Sequence, residues 1–389
     1  MRDFVLHNPT KVLFGKGQAD NVGRETLAVA GKVLLLHGGG SVKRTGLYDR
    51  VTARLRESGV EFTELAGVKA NPDISVVRQG VAICRAEVLP MVLAVGGGSV
   101  VDAAKAIAAG VFYEGDPWDF FDKKAKPSAA LPVGVVLTLS ATGSETNGNS
   151  VVSNAQTNEK RPIYSPLLHP CFAILDPELT FSVPADQTAY GSADILSHVY
   201  EQYFHHEKET PIQDGFCETI MRSVIENAPS AIEHPSDYSA RATLMWASTL
   251  ALNGLLGAGA PGDWASHMLD HELSAHYGIA HGAGLAVVFP AWMTRVYKAD
   301  PARFRRFAEK VWNVNTKGMT DDQAALAGIG AVKDFYRKKL KIGVTMKDYG
   351  IDGAKMEMMA DSAMKFHPLG SFVQLTRDDL VGIYRKALG

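Results

Sequence analysis

Cysteine is scarce in this chain: Cys84, Cys171 and Cys217 are the only three in 389 residues, and none stands in a CxxC. An odd, scattered set excludes a disulfide framework and a cysteine-rich zinc module, and it fits unpaired thiols in a reducing cytoplasm. An excess of one charge is also missing. Forty Lys and Arg stand against 42 Asp and Glu, a net charge of -2, so no basic face offers itself to a nucleic acid. No run approaches the roughly 18–20 apolar residues that span a bilayer, so no membrane partner is expected. The opening MRDFVLHNPTKVLFGKG lacks an apolar stretch followed by a small-residue cleavage site, and a signal peptide is not expected. The GxGxxG dinucleotide fingerprint is absent as well. What remains is an ordinary enzyme composition, 46% hydrophobic and 21% charged, in a chain long enough for two domains.

The first part of the chain alternates short apolar runs with helical patterns. KVLLLH (32–37), VEFTEL (60–65), LPMVLAV (89–95), PVGVVLTL (132–139) and CFAILDPEL (171–179) read as strands. Between the first two, Leu47, Val51 and Leu55 recur at helical spacing, and ISVVRQGVAICRAE reads as the next helix. Strands separated by helices indicate βαβ units and a parallel sheet. From about residue 181 β-branched runs nearly vanish, and long Ala-, Leu- and Met-rich helical segments follow. The expected organisation is therefore a Rossmann-like α/β domain over 1–180 and an all-helical domain over 181–389.

Two GGGS segments stand where a strand turns into a helix: Gly38-Gly39-Gly40-Ser41 and Gly96-Gly97-Gly98-Ser99. Glycine lets backbone approach a phosphate, and the following helix offers free N–H groups and a positive dipole end. Such a loop is often only a turn, but two in consecutive units, the second followed by Asp102, favour a nucleotide. A third segment, Leu137 to Glu145, also follows a strand; its hydroxyls and glycine fit a nucleotide site, and Thr142 with Glu145 fits a helix capping box. No carboxylate follows the strand ending at His37, where an NAD site commonly places one for the ribose 2′-OH. Gly38 to Ser41 stand there instead, with Lys43 and Arg44 just beyond, and Ser41 and Lys43 would welcome the 2′-phosphate of NADP(H).

The histidines are unevenly placed. Asp194 and His198 are four apart in a helical segment, hence on one face, and His267 and His271 are likewise four apart; His281 follows in a turn-like Ile279-Ala280-His281-Gly282. A carboxylate with imidazoles suits Fe²⁺, Zn²⁺, Mn²⁺ or Ni²⁺. Spacing leaves all five residues open as ligands, and HxxxH makes His267 with His271 the tempting pair. Trp264, Met268 and Leu255 stand near these motifs as candidate apolar lining.

Together these segments resemble the iron-containing (type III) alcohol dehydrogenases, whose fold is shared with glycerol dehydrogenase and dehydroquinate synthase. The resemblance covers essentially the whole chain, and GGGSVVDAAK followed by DxxxH and HxxxH…HG is its most specific part. LLLHGGGSVKRTGLYD, ATGSETNGN and LNGLLGAGAPGDWASHMLDHELSA look like the branch of NADPH-dependent butanol dehydrogenases and broad-range aldehyde reductases. Two departures from the more widespread members stand out: Ala280-His281-Gly282 in place of Pro-His-Gly, and SATGSE in place of TxGTGSE.

The resemblance implies a dehydroquinate synthase-like fold, with a dinucleotide-binding α/β domain and a helical metal-binding and substrate domain. It implies one divalent metal, Fe²⁺ or Zn²⁺ with Ni²⁺ as a further option, held by Asp194, His198, His267 and His281. It places His271 beside the substrate as a proton relay or an orienting hydrogen bond. It assigns Asn71, Gly97, Gly98, Ser99, Asp102, Thr138, Ser140, Thr142 and Lys160 to the cofactor, beside Gly38, Gly39, Gly40 and Ser41. The implied reaction is direct hydride transfer between NADP(H) and an aldehyde or primary alcohol polarised by the metal, in a homodimer with the N-terminal strands FVLH and KVLF as its contact elements. A NAD-dependent polyol dehydrogenase is the alternative. A dehydroquinate synthase-like lyase fits poorly, because no Lys/Arg cluster surrounds the metal motifs.

Overall fold

In the computed structural model, which describes all 389 residues, backbone contacts divide the chain into two units. One comprises His7–Val183 with Pro235–Thr249; the other comprises Met1–Leu6, Pro184–His234 and Leu250–Gly389. This differs from the contiguous division 1–180 and 181–389: residues 235–249 pack back onto the first unit and the first six residues onto the second.

The first unit begins with β1 (Lys11–Phe14), α1 (Val22–Leu27), β2 (Lys32–Gly38), α2 (Ser41–Arg44), α3 (Leu47–Glu57), β3 (Glu61–Val68) and α4 (Ile74–Ala86). It continues through β4 (Val92–Gly96), α5 (Gly98–Gly110), α6 (Trp118–Phe121), β5 (Val133–Leu137), β6 (Asn149–Asn154), β7 (Glu159–Tyr164) and β8 (Phe172–Leu175). Six strands form one sheet in the order β1-β8-β5-β4-β2-β3, every neighbouring pair parallel. Its alternating side chains enter two cores. Leu34, Leu36, Val92, Ala94, Val133 and Val135 pack on one face; Val33, Leu35, Leu93, Val95 and Val136 pack on the other. A sheet covered on both faces needs continuous apolar runs, which is why these strands read as KVLLL and VLAV rather than as alternating patterns. The one antiparallel element, hairpin β6–β7, escaped the sequence reading because SVVSN and KRPIY are short and half polar. FVLH is a second correction. Residues 4–7 form no strand, and Val5 is 95% exposed.

The second unit is helical: α7 (Ala185–Tyr203), α8 (Pro211–Glu233), α9 (Tyr238–Ala251, whose last two residues belong here), α10 (Ala265–Tyr277), α11 (His281–Val296), α12 (Pro301–Trp312), α13 (Asp321–Asp334), α14 (Met356–Ala363) and α15 (Arg377–Leu388). Helices α7 and α11 are buried almost all round, as their lack of a polar stripe requires. They pack closely because Gly282 carries no side chain; a Cβ there would overlap the carbonyl oxygen of Tyr190. No helix is long and apolar enough to cross a membrane.

Candidate active site

Within the first unit, parallel pairing puts the carboxyl ends of β3, β2, β4 and β5 along one edge of the sheet. Asn71, the loop Gly38–Ser41, the loop Gly96–Ser99 and the segment Thr138–Thr142 all leave that edge, the position at which open α/β sheets bind ligands. Gly97 is the N-cap of α5, a 13-residue helix, and supplies no side-chain cap to the Gly98 and Ser99 N–H groups of its first turn. Asn71 holds a left-handed backbone, φ 52°. The third segment lies against α5, since a Cβ on Gly98 would overlap Thr142.

Behind the loops lies a buried set of charges that the sequence reading did not resolve. Asp102 accepts from Ser144 Oγ at 2.6 Å and from the Val151 N–H at 3.2 Å. Lys105, fully buried, donates to Ser144 O (2.6 Å), Ser144 Oγ (2.9 Å), Asn147 Oδ1 (3.2 Å) and Asn149 O (2.8 Å). Burial pulls the Lys105 ammonium down to about 8, against the opposing pull of Asp102 and Glu145. These two residues of GGGSVVDAAK therefore staple the third loop to α5. Lys160, on β7, is also buried, and its charge acts on Asp102. The capping-box expectation fails: Thr142 Oγ1 accepts from the Ser144 N–H at 3.2 Å, and Glu145 is buried, accepting from Thr249 Oγ1 at 2.6 Å.

The first loop is not free of carboxylate either. Glu64, on the neighbouring strand β3, accepts from Lys43 Nζ (2.6 Å), Tyr48 Oη (2.6 Å) and His37 Nε2 (2.8 Å). Lys43 and Tyr48 hold its carboxyl well down, at about 2. Arg44 stands apart from this cluster, with its guanidinium 3.4 Å from where a Cβ on Gly40 would lie.

In the second unit, Asp194, His267 and His281 each bring one donor atom within 4.8 Å of the others. His281 Nε2 lies 3.6 Å from Asp194 Oδ1. His198, one turn after Asp194 on α7, puts Nδ1 3.4 Å from Asp194 Oδ1, and its ring centroid is 4.7 Å from that of His267. It borders the three-residue set rather than entering it. His271 is buried beside them, its ring centroid 5.8 Å from that of His281. Asp194 Oδ1, His198 Nδ1 and His267 Nε2 are buried without a hydrogen-bond partner. Buried polar atoms are almost always paired, so three orphans in one cluster fit a cation. Burial, with the neighbouring histidines, pushes the His198 imidazole down to about 3 despite Asp194, so it is a neutral donor. Two carboxylates missed in the sequence stand behind the imidazoles: Glu201 on His267 Nδ1 (2.8 Å) and Asp270 on His281 Nδ1. Glu201 was legible as the third residue after His198, on the helix face of Asp194.

Residues 9–177 match the family model for iron-containing alcohol dehydrogenase, and residues 188–388 match the C-terminal model of the Fe-containing alcohol dehydrogenase family. The chain belongs to the iron-containing alcohol dehydrogenase family. It is 46% identical over 388 residues, the full length of both chains, to a Bacillus subtilis protein named probable NADH-dependent butanol dehydrogenase 1. It is 42% identical over 359 residues, 92% of this chain and 91% of the other, to the NADPH-dependent aldehyde reductase YqhD of Escherichia coli. The crystal structure of NADH-dependent butanol dehydrogenase A from Thermotoga maritima superposes with a TM-score of 0.96 at 44% identity, covering 100% of this chain and 99% of that one. The α/β-plus-helical architecture is thus that of iron-containing alcohol dehydrogenases. The family carries alcohol dehydrogenase activity with a divalent metal and a nicotinamide cofactor.

Proposed function

We propose that this iron-containing alcohol dehydrogenase moves a hydride directly between NADP(H) and a short- to medium-chain aldehyde or primary alcohol, such as butanal and butanol. The observation that carries this reading is the convergence of Asp194, His267 and His281 donor atoms within 4.8 Å, beside unpartnered buried atoms. With His198, at the border of the set, as the fourth ligand, one carboxylate and three imidazoles suit Fe²⁺ or Zn²⁺, with Ni²⁺ as a further occupant. A bound divalent ion supplies Lewis-acid polarisation of a carbonyl or hydroxyl oxygen, and the nicotinamide supplies or accepts the hydride. Trp264, whose ring is 5.4 Å from that of His267, lines the substrate side with Met268 and Leu255. Such a lining favours apolar aldehydes, in keeping with the butanol dehydrogenase and aldehyde reductase names of the relatives. His271 moves the proton to or from the substrate oxygen.

Support for NADP(H) comes from Gly40, the exposed Ser41 and Arg44, which put a cation and no side-chain carboxylate on the loop itself. Glu64 and the NADH-dependent relatives favour the second reading, NAD(H). A homodimer is supported by the unpaired outer edge of β1, with Phe14 39% and Trp246 42% exposed and in edge contact with each other. Three unpaired cysteines support the cytoplasm. The test is nicotinamide oxidation with butanal by metal-loaded protein: no turnover with either NADPH or NADH overturns the reductase reading. A kcat/KM ratio favouring NADH overturns the NADP(H) preference alone.

A further inference from the structure

We propose that Glu201 and Asp270 are the positioning residues of the metal centre, fixing the protons of His267 and His281 on Nδ1 so that each Nε2 is presented as a bare lone pair. A neutral imidazole has one donor nitrogen and one acceptor nitrogen, whereas a carboxylate only accepts. In the neutral tautomer that gives Nδ1–H to Glu201 or Asp270, the lone pair is on Nε2. His267 Nε2 is one of the orphaned atoms, and His281 Nε2 is the atom that faces Asp194. Both carboxylates are fully buried. Such groups are costly unless hydrogen-bonded and balanced by positive charge. Asp194, Glu201 and Asp270 are three buried carboxylates gathered about these imidazoles, negative charge that a divalent ion offsets.

The two residues do their work differently. Helix α10 begins at Trp264, an N-cap in left-handed conformation (φ 67°) whose side chain caps nothing. Glu201, from α7, takes over that duty: Oε2 accepts from the Trp264 N–H at 2.6 Å and Oε1 from the His267 N–H at 3.1 Å. These are the N-cap and N3 amides that a capping box would satisfy with two side chains. The same Oε1 takes the His267 ring proton at 2.8 Å. One carboxylate thus ties the start of α10 to the orientation of a metal-facing ring. Asp270 sits one turn into α10 and reaches His281 at the first residue of α11. It fits only because residue 284 is glycine; a Cβ there would overlap Asp270 Oδ1.

The inference rests on the metal reading above, and the experiment separates the two. Full-length protein, stripped with a chelator, is titrated with Zn²⁺ against a chromophoric competitor and with Co²⁺ by visible absorption. Glu201→Gln, Asp270→Asn, Gly284→Ala and His267→Ala are compared with the parent. Glu201→Gln and Asp270→Asn are expected to weaken Zn²⁺ by about 10–100-fold and to move the Co²⁺ bands, which a merely structural residue leaves in place. Gly284→Ala weakens Zn²⁺ by displacing Asp270 without removing a charge. Hydrogen exchange over residues 264–267 of the metal-free protein speeds up in Glu201→Gln and not in Asp270→Asn. Unaltered Zn²⁺ affinity and Co²⁺ bands in folded Asp270→Asn and Gly284→Ala overturn the proposal even if Glu201→Gln does not fold. Full metal binding by His267→Ala overturns the metal reading itself.

Discussion

The two units build their sites from opposite materials. At the sheet edge of the first, the surface offered to a cofactor is backbone: glycine loops and a capless helix start, with the buried charges Asp102, Lys105 and Glu145 holding the loops from behind. In the second, backbone is only scaffold, and the proposed metal centre is made of converging carboxylates and imidazoles. A site of backbone is damaged by added volume, whereas a site of balanced charge is damaged by a missing partner. Each mutation below tests one side of that contrast.

The largest effect is expected at the metal centre. His267→Ala removes one of the convergent donors, and several kcal/mol of Lewis-acid stabilisation go with the ion. At about 1.4 kcal/mol per factor of ten, kcat/KM should fall by roughly 10³-fold, with metal content of the purified protein falling in parallel. Elemental analysis alongside the kinetics checks this, and undiminished metal contradicts the ligand set.

Next comes Lys105→Met, which leaves Glu145 buried without its cation and Asp102 with Lys160 alone. Breaking a buried charge set in this way costs about 3–5 kcal/mol, readable from denaturant unfolding. The pH dependence carries a sign. The folded-state value of Lys105 is lowered from 10.5 to about 8, so between those values the unfolded chain holds a proton that the folded chain has released. Wild-type stability should therefore gain an upward slope across pH 8 to 10.5, and Lys105→Met should lack it.

The same contrast explains what could be read from the sequence. The parallel sheet was legible because strands buried on both faces leave continuous apolar runs, and the glycine loops were legible because backbone sites need glycine in number. The candidate ligands were visible among Asp194/His198 and His267/His271, but helical spacing reports only a shared face. It could not say that His281, at the start of α11, converges with Asp194 and His267 in a set that leaves out the HxxxH partner; the family resemblance named His281 among the ligands. Asp270, Lys105 and Glu64 were missed for one reason, and Glu201 showed only its shared helix face with Asp194. Each acts through a tertiary contact, and a lone acidic or basic residue in a helix or strand looks the same whether it is solvated or buried. Hairpin β6–β7 was missed for want of an apolar pattern.

A smaller effect is expected from adding a single methyl group to the backbone site. In Gly98→Ala the new Cβ overlaps Thr142, which should push the third loop away from α5 at about 1–3 kcal/mol of stability. The KM for cofactor should rise while metal content stays at the parent level. A parallel loss of metal would show that the two sites are not separable in this way.

The finest test concerns the one place where the backbone site carries charge of its own. Lys43 is already occupied by Glu64, in a cluster completed by Tyr48 and His37. If Arg44 is the cation available to a 2′-phosphate, Arg44→Gln should lower kcat/KM for NADPH by about tenfold, the size of one charge-assisted contact, and leave NADH unchanged. Lys43→Gln should do much less. Glu64→Gln should raise the NADPH/NADH ratio, because it removes a carboxylate and releases Lys43 together. The same substitution has a stability signature. The Glu64 carboxyl is lowered from 4.5 to about 2, so its contribution is full above about pH 4.5 and is lost as pH falls toward 2. Because the side chain is 30% exposed, that acid slope is small, but Glu64→Gln should abolish it. A ratio that moves with Lys43 rather than Arg44 would mean that the cofactor displaces Glu64, making this loop a site of exchangeable charge.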